Sequence, residues 1–257
     1  MARATLCALE RGQVVGAAHL LRYGDGAEVS DAYRSVGEIA WQVAWPSHRQ
    51  AAAELLAAAN ARLAAWRVRT RWAGGGLPVP VLSGVPEGWS HIAAALREAG
   101  FRPTPERAEA IYGGDLRHVA APTAAPVAGV DLRRAVAETT VVFTAVLDGR
   151  ELGVCEWALD LTLGGARPAL RGWAELANLH VEADWRGRGL GTWLVGHGVA
   201  WLRLGRCERV VLTTAADDEA AGSGRFHRRL GWDVLARLER AWGYQPGDQG
   251  QGAPGGR

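Results

Sequence analysis

The segment Leu179-His180-Val181-Glu182-Ala183-Asp184-Trp185-Arg186-Gly187-Arg188-Gly189-Leu190-Gly191 runs from an apolar strand, through a turn with three glycines and two arginines, into a helix. Such a turn is suited to holding a pyrophosphate. Glycine lets the backbone come close, its N–H groups converge on the anion, and the positive end of the helix dipole adds attraction. Two other phosphate-binding patterns match poorly. The dinucleotide fingerprint needs a third glycine where Thr192 stands, and the nucleotide-hydrolase loop needs a lysine in a chain that has none.

The elements that must position this turn read as an α/β layer. Strands are expected near 141–147, 151–160, 173–181, 208–214 and 233–243, with helices near 190–204 and 218–230. A helix between parallel strands implies a right-handed crossover.

The chain also repeats itself. Glu38 and Glu175, Arg49 and Arg186, Gly12 and Gly149, Gly16 and Gly153, and Arg34 and Arg171 are all 137 positions apart (175 − 38, 186 − 49 and so on). Arg11-Gly12 and Asp148-Gly149 then each mark a tight turn between two strands. Further on, Gly100-Phe101 matches Gly231-Trp232 at a separation of 131 (231 − 100). Without a gap, Gly189 and Gly191 fall on Ala52 and Glu54, which reads as a first copy that has lost the anion turn. The Pro- and Ala-rich stretch 118–129 suits a linker between segments 1–117 and 130–244, and the Gly/Pro-rich residues 245–257 suit a disordered tail.

Composition narrows the class. The net charge of +2 argues against a dedicated nucleic-acid binder. Cys7, Cys155 and Cys207 are isolated, without metal-ligand spacing, and read as reduced thiols. No signal peptide or membrane span is visible, so a cytoplasmic protein is expected. Twelve tryptophans serve mainly as core, with Trp157 and Trp173 placed to wall a substrate.

The spacing Arg186-x-x-Gly189-x-Gly191, after a strand with Leu179 and Val181, resembles the acyl-CoA loop of the GNAT superfamily of N-acetyltransferases. Phe226-His227-Arg228-Arg229-Leu230-Gly231-Trp232 resembles that family's second signature, a helix ending in Tyr-x-x-x-Gly-Phe. The resemblance covers roughly 130–243. It implies an α/β fold of two tandem GNAT-like domains, each a mixed twisted sheet flanked by helices, with a degenerate first copy. It also implies acetyl-CoA or another acyl-CoA as co-substrate, and no metal. The chain departs from the family between Asp131 and Thr140, which leaves little room for the usual acceptor-site helices.

By this resemblance, the backbone at Leu179, His180 and Val181 pairs with the pantetheine arm, and the Leu179 N–H donates to the thioester carbonyl. The amides of Arg186, Gly187, Arg188, Gly189, Leu190, Gly191 and Thr192 hold the pyrophosphate, with Arg186, Arg188 and Arg225 available to a further phosphate. Glu175 stands where many members keep a general base. An alkyl ammonium titrates near ~10, so a base must remove its proton, and a half-desolvated carboxylate is suited to that. His227 takes the place of the family's tyrosine acid, while the side chain of His180 alternates toward the acceptor side. The expected function is N-acetylation of a small-molecule amine at one site in the C-terminal domain. No nucleic-acid or membrane partner is expected, and a homodimer is compatible with the sequence. The alternatives are a CoA-binding or non-catalytic scaffold, or a CoA-thioester enzyme of another reaction type.

Overall fold

The computed structural model describes residues 1–77, 83–104, 107–122 and 124–245. Thr123 of the expected linker and residues 246–257 of the expected tail lie outside them. The chain forms two compact units, Met1–Glu109 together with the segment from Ala236 onward, and Ala110–Leu235.

The first unit opens with β1 (Ala2–Glu10), β2 (Gln13–Arg22) and β3 (Val36–Ala44), followed by helix α1 (Arg49–Ala65) and β4 (Thr70–Ala73). Strand β5 (Val85–Pro86), helix α2 (Ser90–Glu98) and β6 (Phe101–Arg102) complete its N-terminal part. The second unit begins with β7 (Glu109–Asp115) and continues through β8 (Asp131–Val136), β9 (Thr140–Leu147), β10 (Arg150–Ala158) and β11 (Trp173–Val181). Helix α3 (Leu190–Leu204), β12 (Arg209–Ala215), the short α4 (Ala216–Asp218), a π turn (Glu219–Ser223) and α5 (Gly224–Arg229) follow. Strand β13 (Asp233–Glu239) then leads to β14 (Trp242–Tyr244).

The first unit's sheet has the order β1-β2-β3-β4-β14-β6, with β3 and β4 parallel. Its core packs Leu20, Ile39, Leu56, Leu63, Phe101 and Trp242. In the second unit β7 lies between the start of β13 and β12, and the order continues β11-β10-β9-β8, with β11 and β12 parallel. Its core includes Phe143, Cys155, Trp157, Leu194 and Trp232, with α3 lying on β9, β10 and β11.

The division along the chain differs from segments 1–117 and 130–244 in one respect. Residues 110–117 pack in the second unit, and 236–244 pack in the first. The strand expected over 233–243 is two strands, because Ala241 takes φ 51° and breaks the extended backbone. Asp131–Val136 pairs directly with β9, so no helix intervenes there.

Backbone irregularities recur at the repeat spacing. Arg11 and Gly12 take φ 49° and 80°, and Asp148 and Gly149 take 51° and 82°, so both hairpins close through left-handed turns. The β2–β3 register shifts between His19 and Leu20, and the β10–β11 register between Glu156 and Trp157, again 137 apart (156 − 19). Gly16 and Gly153 are small for one shared reason. A Cβ on Gly16 would lie 3.1 Å from the Val43 carbonyl oxygen, and one on Gly153 would lie 2.8 Å from that of His180.

Candidate active site

Strand β11 pairs with β10 from Glu175 to Val181, but with β12 only at Trp173, Ala174 and Glu175. Past Glu175 the parallel neighbours part, and a wedge opens in the sheet. The register on the β10 side passes from Leu176 to Asn178, so Ala177 is an unpaired bulge residue. A bulge bends its strand and increases the local twist, which here carries β11 away from β12. Glu175 therefore sits at the apex of the wedge, and the Arg/Gly turn closes its mouth about 20 Å away at ~3.3 Å per residue.

The backbone along this edge is set by alternation. Glu182 N–H donates to the Leu152 carbonyl at 2.9 Å, so it faces β10. By the two-residue repeat of an antiparallel ladder His180 faces β10 as well, whereas Leu179 and Val181 turn their amide groups to the open edge. Arg186 Nε donates to the Val181 carbonyl at 2.8 Å, latching the turn to the strand end. The expected backbone roles of Leu179 and Val181 are sterically available, but that of His180 is not. Its exposed side chain lies 3.7 Å from Glu182, on the same face as Glu175 and Asn178.

At the mouth, Gly187 and Gly189 take φ 74° and 87°, conformations that L side chains rarely adopt. The first bond of α3 runs from Trp193 N–H to the Gly189 carbonyl at 3.0 Å. The amides of Leu190, Gly191 and Thr192 thus have no intrahelical acceptor, and Gly189 brings no capping side chain. Together with Gly187, Arg188 and Gly189 they form a set of donors. Gly187, Arg188, Gly189 and Thr192 are exposed and Gly191 partly so, while Leu190 is buried at the start of the helix. Arg186 N–H is not part of the set, because it donates to the Ala183 carbonyl at 3.2 Å. The Arg188 guanidinium stacks over Trp185 at 4.9 Å. A cradle of this kind fits a pyrophosphate, and an arm bearing amides fits the open edge of β11.

Glu175 is half-buried, and desolvation pushes its carboxyl above the ordinary carboxylate range. Its carboxyl has no hydrogen bond or ion pair among the described residues, and Arg171 is not its partner. His227 is 5 % exposed, ringed by Tyr112, Phe226 and Trp232 with centroids 5.0–6.0 Å away. Burial holds its pKa down at about 4, against a smaller upward pull from Glu219. At neutral pH the ring is uncharged and its Nδ1 has no partner, so an imidazolium acid is not present there. Tyr112, which donates to Glu219 at 2.6 Å, stands beside it and comes from the stretch that sequence reading assigned to the first copy. Trp157 is fully buried, edge-to-face with Trp232 and facing Gly198, so it forms core rather than a substrate wall. Trp173 is half-buried beneath Arg209 at 5.4 Å, at the closed end of β11.

Among its described residues the first unit has no such turn. Buried positions of α1 and α3 match at a separation of 139 (194 − 55 and 202 − 63), two more than the strands, so an insertion precedes α3. Gly189 and Gly191 then fall on Gln50 and Ala52, not on Ala52 and Glu54. Both positions lie inside α1, so the loss is of the turn itself, not an acidic neighbour to the anion. The gap beyond the β3–β4 pairing is filled by Leu77, Trp89, Ile92 and Leu96, which leave a cavity of only about 10 Å³.

Among the described residues, no cluster of metal ligands occurs and no helix is long and apolar enough to cross a membrane. No curated protein sequence matches the chain. Residues 117–232 match the family model described as "Acetyltransferase (GNAT) family". Three solved structures are similar in fold. A tandem GNAT protein from the clavulanic acid biosynthesis pathway is 18% identical at TM-score 0.59, covering 96% of this chain and 84% of its own. A GCN5-related N-acetyltransferase from Sphaerobacter thermophilus is 14% identical at TM-score 0.60, covering 91% and 77%. Another from Kribbella flavida is 15% identical at TM-score 0.57, covering 91% and 88%. The chain thus has the tandem GNAT fold, and its residues 117–232 belong to the GNAT acetyltransferase family.

Proposed function

We propose that this protein is an acetyl-CoA-dependent N-acyltransferase that acetylates a small-molecule amine by direct attack, with one acyl-CoA site, in the Ala110–Leu235 unit. The observation that carries the reading is the wedge between β11 and β12, with Glu175 at its apex and the Gly187–Thr192 donors at its mouth. Acetyl-CoA supplies the activated acyl group. The protein's part is to hold the pyrophosphate on the amides from Gly187 to Thr192 and to align the arm on the edge of Leu179 and Val181. The Leu179 N–H faces the opening, where a preset donor to the acyl oxygen strengthens as charge develops. Glu175 takes the proton of the acceptor ammonium, and its raised pKa suits a base operating near neutrality. His227, uncharged and enclosed, packs the helix against Trp232; once the neutral amine has attacked, its nitrogen is cationic and gives a proton to the departing thiolate, directly or through water, as the C–S bond breaks. A cytoplasmic site of action accords with this chemistry.

Calorimetry with acetyl-CoA, followed by thiol detection across a panel of small amines, tests it. One equivalent bound and amine-dependent thiol release are expected; no binding overturns the reading. Binding without turnover of any amine would favour the second reading, a CoA-binding protein, which the enclosed His227 supports.

A further inference from the structure

The first unit contains a pocket of about 550 Å³ that has no part in the acyl-CoA site. It opens where β2 begins and β3 ends, against the link that follows β3 and the start of α2, and its wall includes Val14, Val43, Trp45, Pro46, Trp89 and His91. The link from β3 to α1 has four residues, against eight from β11 to α3 (45–48 and 182–189), and the shorter link leaves the space uncovered. Its size is that of a small-molecule site.

Three features define what would fill it. No charged side chain lines it, and the rim residues Val14 and Trp45 are 57 % and 64 % exposed, large apolar surfaces left to water. The two indoles are carried on fixed backbone, Trp45 N–H donating to the Val15 carbonyl at 3.2 Å and Trp89 N–H to that of Pro86 at 2.8 Å. His91 is 9 % exposed, and its Nε2 lies 2.9 Å from the Ala44 carbonyl. A carbonyl only accepts, so Nε2 carries the hydrogen, and Nδ1 is left with no partner among the described residues, the nitrogen at which this tautomer accepts.

We propose that this pocket binds an uncharged, planar ring compound bearing one hydrogen-bond donor, its faces against the tryptophans and its donor on His91 Nδ1. Rings of that kind gain both apolar burial and indole contact. A charged ligand would find no counter-ion in the wall.

The probe is 2-naphthol, titrated calorimetrically into the full-length protein without acyl-CoA. One equivalent should bind with micromolar affinity, and naphthalene, lacking the donor, several-fold more weakly. Gly88 lines the pocket, has ordinary φ, and has nothing within 4 Å of the position a Cβ would take. Gly88→Leu should therefore fold normally, fill the space and weaken naphthol binding at least tenfold. His91→Phe should abolish the preference for naphthol over naphthalene. The proposal falls if wild type shows no saturable heat, if Gly88→Leu binds as wild type does, or if naphthol and naphthalene bind wild type equally. Excess acetyl-CoA should leave the naphthol affinity unchanged, and displacement would overturn the assignment to this pocket.

Discussion

Tyr23 donates its hydroxyl hydrogen to Glu38 Oε2 across 2.7 Å, and this bond has no counterpart at Glu175. The two glutamates hold one place in the repeat, opposite Leu21 and Ala158 in matching registers. At the position of Tyr23 the second copy has Asp160, whose carboxylate is engaged by the Thr162 and Gly164 amides of its own loop. One carboxylate is held by a hydroxyl and the other is unpaired among the described residues. The paired copy has lost its wedge to Trp89 and Leu77, while the unpaired one stands at an open apex.

Glu175→Gln should lower turnover by about 10²-fold or more while leaving acetyl-CoA affinity within threefold, measured by thiol release and calorimetry. The wild-type rate should rise with pH as the carboxyl ionises, and the variant should lack that limb. Stability should move in the opposite sense. Desolvation raises the folded-state pKa, so the folded protein holds this proton more tightly than the unfolded chain, and stability is lost as pH rises through that value. The variant should therefore melt higher than wild type at pH 7, with the difference vanishing in acid.

His227 titrates the other way. Its folded pKa of about 4 lies below the unfolded value near 6.5, so stability is full above pH 6.5 and falls between 6.5 and 4, by roughly 3 kcal/mol at most. Urea midpoints of His227→Leu should lack this acid-side loss. A persistent loss of equal size would place the titration on another group.

Gly189→Ala should cost about 1–2 kcal/mol, because a left-handed residue acquires a Cβ that also comes within 3.2 Å of Pro126. Gly187→Ala meets nothing within 4 Å and should show backbone strain alone. Both should weaken acetyl-CoA binding, Gly189→Ala by tenfold or more, as calorimetry alongside thermal melts would record.

Trp242 is fully buried in the first unit, its strand paired with Ala73 and Trp72 on one side and with Phe101 and Arg102, through Gly243 and Tyr244, on the other. Trp242→Ala should cost about 3–5 kcal/mol. A fragment of residues 1–109 should remain unfolded until a peptide spanning 236–245 is added, with far-ultraviolet circular dichroism as the readout.

Local signals carried much of this architecture into the sequence. The Arg11-Gly12 and Asp148-Gly149 turns, the apolar run Leu179–Val181 and the glycines 187 and 189 each state their conformation through their own chemistry. What the sequence withheld is non-local. Nothing in Glu109–Asp115 says that it lies beside β12, and nothing in Trp242–Tyr244 says that it pairs with β4, because both are short strands whose partners are distant in sequence. The enclosure of His227 was hidden for the same reason, since Tyr112 reaches it from a distant stretch. The two-residue insertion before α3 became legible only when buried helix positions could be matched.

The exchange of β14 sets an order of events during synthesis. The other strands of the first unit's six-stranded sheet are complete once Arg102 has been made, yet the strand between β4 and β6 arrives only with Tyr244, 142 residues later (244 − 102). At about 5–20 residues per second that is roughly 7–28 s in which a nascent sheet has an empty lane. Its exposed ladder edges are a template for pairing with other chains over that interval. The sheet is open to mispairing on the ribosome until β14 has been translated.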